Sequence, residues 1–126
     1  MAVTTSDRTL STTPGLQAFC HDSLDRSKAS DIVAIDVRCC SSITDLMMIC
    51  TGTSSRHVCA IADHLLERLS ACGIRGVTVS GTAEGRWVLV DVGSVIVHIM
   101  QPAAREYYNL EDLYTCLAAG AAPAAG

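Results

Sequence analysis

Residues 81–108 read GTAEGRWVLVDVGSVIVHIMQPAAREYY, and they hold the only Trp and two of the three Tyr. Residues 86–91 and 95–100 are rich in Val and Ile and bounded by Gly, which reads as two strands. Asp91-Val92-Gly93-Ser94 between them is turn chemistry, because Gly93 takes a positive φ at little cost and Asp91 can bond back to its own turn. The stretch is therefore a β-hairpin. Alternation along the strands puts Trp87, Leu89 and Asp91 on one face and Arg86, Val88 and Val90 on the other. In the second strand Val95, Val97 and Ile99 share a face, and Ile96, His98 and Met100 share the opposite one. Neither face is cleanly polar. Either helices of the same chain cover both, or one stays partly open for a partner. Taken alone, the strand pattern favours Trp87 as core. A Trp beside a Leu on an incompletely covered sheet would instead suit a protein interface.

Upstream of the hairpin, residues 77–79 read as a short strand. Before it runs a long helix, opened by Thr51-Gly52-Thr53-Ser54-Ser55-Arg56-His57. Val58, Ile61, Ala62, Leu65, Leu66 and Leu69 recur at helical spacing. Ser54 or Ser55 supplies the N-cap, and Gly73 ends the helix after Cys72. Residues 45–50 form a near-continuous apolar strand of the kind buried on both faces. Residues 32–37 form another, expected to be central, and the segment 38–44 between them is a loop. Strand, helix and strand over 45–79 should make a right-handed βαβ unit. Leu16, Phe19, Cys20 and Leu24 mark a first helix over about 16–27. Downstream of the hairpin, Pro102 starts a turn, and 103–108 with 110–117 read as one broken or two short helices. The order is α-β-β-α-β-β-β-α. It predicts an α/β domain with a mixed five-stranded sheet and packed helices over 15–117. Residues 1–14 are expected to be a disordered leader and the Ala-rich 118–126 a disordered tail.

The chain has 126 residues, enough for one domain with a core that needs no staples. No apolar run approaches the ~20 residues that span a bilayer, and the N-terminus lacks a secretory pattern, so the expected location is cytoplasmic. The seven Cys are odd in number and include no CxxC pair. They read as small buried hydrophobes in a reducing compartment, with Cys39-Cys40 in a loop as an oxidation liability. The net charge is −4, and Lys28 is the only lysine. No basic patch appears, so the chain lacks the electrostatic footprint of a nucleic-acid binder.

Chemistry is weakly signalled. The Thr51 to Arg56 turn lies between a strand and a helix N-terminus and could cradle a phosphate, but it lacks the GxxxxGK[ST] pattern, and plain capping explains it. Metal-dependent nucleotidyl transfer needs clustered carboxylates, whereas Asp31, Asp36, Asp45 and Asp91 fall on separate elements and Asp63 and Glu67 lie on one helix. His98 with Asp91 could be a base and its orienter, although a strand His is more often structural. His57 and His64 fall outside metal-ligand spacing. Arg105, Glu106, Tyr107, Tyr108, Glu111 and Asp112 make a charged, aromatic final helix suited either to an interface rim or to packing on the sheet.

Several separated motifs together resemble one family. They are Asp31-Ile-Val-Ala-Ile-Asp-Val37, Ser41-Ser-Ile-Thr-Asp45, Thr51-Gly-Thr-Ser-Ser-Arg-His57, Gly85-Arg-Trp-Val-Leu-Val-Asp-Val-Gly93, Val97-His98 and Arg105-Glu-Tyr-Tyr-Asn-Leu-Glu-Asp-Leu113. In this order they resemble the ribosomal silencing factor (RsfS, Iojap) family over about residues 16–114, with Tyr114 where that family usually has Trp. The resemblance implies a fold shaped like a nucleotidyltransferase without its catalytic motif, and so no enzyme, cofactor or metal. It implies binding to the large ribosomal subunit through a protein of the L-fourteen family, with little direct RNA contact. The bound protein would block joining of the small subunit and repress translation, notably under nutrient limitation. It also implies a homodimer. It moves Trp87 from core to interface anchor, with Leu89 beside it, Glu84 and Asp91 facing basic partner residues, Arg105 and Tyr108 completing the patch, and His98 included. The alternatives are a large-subunit assembly factor, or a phosphate-binding enzyme that uses the Thr51 to Arg56 turn.

Overall fold

The computed structural model describes residues 12–38 and 44–112. Eight elements follow in the expected order: α1 (Thr13–Arg26), β1 (Ser30–Asp36), β2 (Leu46–Thr51), α2 (Ser55–Ala71), β3 (Thr78–Ser80), β4 (Trp87–Asp91), β5 (Val95–Met100) and α3 (Pro102–Tyr108). The strands form one mixed sheet in the order β1-β2-β5-β4-β3. Only β2 and β5 pair in parallel. All six residues of β2 are buried, as its unbroken apolar run requires.

The helix ends obey local chemistry. Thr12 caps α1 by accepting from the Gly15 N–H. Pro14 sits in the first turn, where a missing N–H costs nothing. The helix thus starts three residues before the apolar periodicity indicates, and Thr13 and Pro14, read as leader, belong to it. Ser54 caps α2 through the His57 N–H at 3.1 Å, and Gly73 closes it at φ 80°. Residues 1–11 of the expected leader, the Cys39-Cys40 pair, residues 113–117 of the expected last helix with Tyr114, and the tail lie outside the described residues.

Two expectations need correction. β1 is an edge strand, not a central one. Its apolar residues serve two layers, since Ile32 packs with one core cluster and Val33 and Ile35 with another, and its register shifts between Ser30 and Val33. Two-sided apolarity made it look central, but pairing decides position. The α2 crossover does return to a parallel strand, yet β5 and β4 lie between β2 and β3. The unit is wider than a simple βαβ.

The sheet has unequal covers. On one face Met48, Cys50, Val88, Val90, Val97 and Ile99 pack with Leu16, Leu24, Val58, Ile61, Leu65 and Leu69 from α1 and α2. On the other, Ile35, Met47, Ile49 and Met100 form a smaller cluster with Ala104 of α3, and Trp87 and Leu110 pack at its margin. Among the described residues no helix is long and apolar enough to cross a membrane.

Candidate functional site

The hairpin register places Trp87 opposite Met100, Leu89 opposite His98 and Asp91 opposite Ile96. These six side chains therefore share the thinly covered face, as alternation along the two strands predicts. The loop entering β4 is held tightly. Gly81 has φ 88°, and a Cβ there would run into the Trp87 carbonyl oxygen. Gln101 then ties α3 to this loop, with its N–H on the Arg86 carbonyl and its side-chain amide on the Gly85 carbonyl, both at 2.9 Å. These bonds bring α3 alongside Trp87.

The result is a short aromatic chain running from core to solvent. His98 is 3% exposed. The Trp87 Nε1–H donates to His98 Nδ1 at 2.9 Å. The half-buried Trp87 ring lies 4.7 Å from that of Tyr108, centroid to centroid. Tyr108 meets Tyr107 edge to face at 4.9 Å. Tyr108 is 46% and Tyr107 80% exposed. Beside the Trp lies a cleft of about 170 Å³ lined by Gly81, Glu84, Arg86, Trp87, Ala104 and Tyr108. Its rim is charged and its wall aromatic, the make-up of a protein contact site.

The sequence-predicted residues divide among three positions. Trp87, Tyr108 and Glu84 meet at the cleft. Leu89 and Asp91 extend the same face along β4, with Asp91 also accepting from the Gly93 N–H at 2.9 Å. His98 lies beneath and cannot touch a partner directly. Arg105 points elsewhere. Its side chain is 12% exposed and bonds Glu111 Oε1 at 2.6 Å through Nε. Through Nη1 it reaches Thr51 Oγ1 at 2.8 Å. The cleft residues Gly81, Arg86 and Ala104 were not singled out from sequence as contacts. Small residues at 81 and 104 are the signal that could have marked a concavity.

The alternative chemistry finds little assembled. In the Thr51 to Arg56 turn, Ser54 is the cap, and the Thr53 N–H donates to His57 Nδ1 at 2.9 Å. His57 Nε2 donates to the Ser27 carbonyl at 2.9 Å. These groups knit α2 to the end of α1. His98 takes its hydrogen bond from Trp87, while Asp91 serves its turn. Burial pushes the His98 pKa down to about 4, so the ring is neutral at pH 7. Among the described residues no group of three or more His, Cys, Asp or Glu is placed to hold a metal.

Comparison with known proteins supplies the family. The family model for "Ribosomal silencing factor during starvation" matches residues 11–124. The chain belongs to the ribosomal silencing factor family. Ribosomal silencing factor RsfS of Haemophilus influenzae is 50% identical over 99 residues, covering 79% of this chain and 97% of that protein. The mouse protein named "Mitochondrial assembly of ribosomal large subunit protein 1" is 36% identical over 95 residues, or 73% of this chain and 42% of that one. A crystal structure of a Chromobacterium violaceum protein superposes with a TM-score of 0.79 at 33% identity, covering 91% of this chain and 94% of that one.

Proposed function

We propose that this protein silences ribosomes sterically. It docks through the Trp87 cleft onto a protein of the large ribosomal subunit, of the L-fourteen family, and its bulk keeps the small subunit from seating. The carrying observation is the half-buried Trp87 packed at a tilt against an exposed Tyr108 beside a charged cleft, in a chain of the ribosomal silencing factor family. Buried aromatic anchors dominate protein interfaces. Glu84 at the cleft and Asp91 along the strand face basic residues of the partner, and the net charge of −4 disfavours adventitious binding to RNA phosphate. No chemical step is required.

Co-sedimentation of wild type and Trp87→Ala with purified large subunits tests this, with subunit joining followed in the same gradient. Truncating a Trp anchor removes about 2 kcal/mol or more, roughly a 30-fold loss of affinity. Wild type should bind and suppress joining, and a folded Trp87→Ala should do neither. Wild type that ignores large subunits sinks the proposal. A second reading, in which the same face serves large-subunit assembly, is favoured by the mouse relative, a protein named for assembly of the mitochondrial large subunit. Co-purification with immature precursors and not with finished subunits would select it. A homodimer, the remaining expectation, is read by sedimentation equilibrium of the free protein.

A further inference from the structure

Trp87 and His98 lie on adjacent strands but not opposite each other, because Trp87 faces Met100 and His98 faces Leu89. They meet on the diagonal, within reach of aromatic side chains. An indole N–H can only donate. The 2.9 Å bond between Trp87 Nε1 and His98 Nδ1 therefore makes Nδ1 the acceptor and puts the ring proton on Nε2. That Nε2 is buried and has no hydrogen-bond partner among the described residues.

This is a poor arrangement for stability alone. A buried donor without an acceptor destabilises the fold that holds it. A Phe at position 98 would fill the slot between Ile49 and Leu89 and remove the orphaned Nε2. Phe would in turn leave the Trp87 N–H, which points at the buried His98, without its acceptor. What His adds over Phe is an acceptor that fixes the indole's orientation against Tyr108, whose ring lies 4.7 Å away.

We propose that His98 is a positioning residue: its Nδ1 holds the Trp87 indole against Tyr108, so that the anchor meets the ribosomal partner already oriented. The proposal rests on the docking reading above. Its physical basis is preorganisation, in which a side chain immobilised before binding loses less freedom on binding.

Two substitutions separate positioning from packing. His98→Phe keeps the bulk and removes the acceptor. His98→Asn keeps an oxygen where Nδ1 stands but leaves a void. Trp87 is the only Trp, so its indole N–H exchange, followed by NMR in the free protein, reports this bond alone. Affinity for purified large subunits and urea unfolding complete the set. His98→Phe exchanges one unpaired donor for another, so it should be about as stable as wild type, exchange its indole proton faster and bind up to about tenfold more weakly. His98→Asn should be less stable, yet keep slow exchange and most of the affinity. The proposal is overturned if His98→Phe binds as wild type, or if affinity simply follows stability across both variants. Wild type that does not bind large subunits defeats the docking reading. The free protein then still decides the positioning claim, because unchanged indole exchange in His98→Phe overturns it.

Discussion

Arg105 offers the sharpest test of how the site is held together. The family resemblance makes it a docking residue, whereas the structure makes it a strap. Its guanidinium bonds Glu111 at 2.6 Å and Thr51 at 2.8 Å, linking both sides of the Asn109 turn to the end of β2. The α3 helix has only seven residues, too few to be stable by themselves. It stays beside Trp87 because Gln101 pins its start and Arg105 pins its end. In Arg105→Met, which keeps most of the stem packing, two charge-assisted bonds are lost. Such bonds contribute about 1.5–3 kcal/mol each. The Glu111 side chain is 32% exposed and regains water, so its share is discounted. Thr51, at 6% exposure, recovers little. A net loss of roughly 2–3 kcal/mol follows, read as a lower urea midpoint at unchanged slope. Glu111→Gln keeps an acceptor and should lose roughly half as much. The acid limb carries a second sign. The hydrogen bond from Arg105 holds the Glu111 carboxyl below its ordinary pKa, so this stabilisation is present above the unfolded-state value and fades as pH falls through the folded one. Loosened α3 also takes Tyr108 from Trp87, so docking should weaken in step with stability. If Arg105→Met unfolds at the wild-type midpoint but no longer binds large subunits, Arg105 faces the partner and the strap argument is wrong.

Three further outcomes are expected. Burial lowers the His98 pKa from 6.5 to about 4, so between these values the unfolded chain binds a proton that the folded one refuses. Stability should be flat above pH 6.5 on this account and fall towards pH 4, by up to roughly 3 kcal/mol; His98→Phe should lose that part of the slope, and an identical slope would refute it. Gly81→Ala meets both the positive φ of 88° and the Trp87 carbonyl. It should cost about 1–3 kcal/mol and shift the Trp fluorescence; unchanged fluorescence and melting would show that the loop is not clamped there. Burial raises the Cys20 and Cys50 thiols to about 12, whereas Cys59 and Cys72 are partly exposed. Alkylation at pH 8 followed by mass mapping should modify Cys59 and Cys72 well before Cys20 and Cys50, and the reverse order would contradict the packing.

Much of the hairpin was legible because its signals are local. Period-two alternation assigned every residue of β4 and β5 to the face it occupies, and Asp91 with Gly93 marked the turn. The caps at Ser54 and Gly73 were readable for the same reason. The edge position of β1 was not readable. Ile32, Val33 and Ile35 reveal contact with apolar layers on both sides of the strand, but not whether a neighbour hydrogen-bonds along each flank. The candidate site was partly legible: Trp87, Glu84 and Tyr108 do meet. Arg105 was placed with them by the family resemblance, which does not give the direction in which a long side chain extends.

The sequence by itself determined the family, the order of the eight elements and the apolar faces that must be buried, since periodicity, capping and turn chemistry act over a few residues. Only the tertiary structure decided that β5 inserts beside β2, that His98 lies beneath Trp87 on the diagonal, and that Arg105 turns towards Thr51, a residue 54 positions away. Strand register and long-range hydrogen bonds join residues far apart in the chain, and nothing in the local pattern at either end specifies its partner.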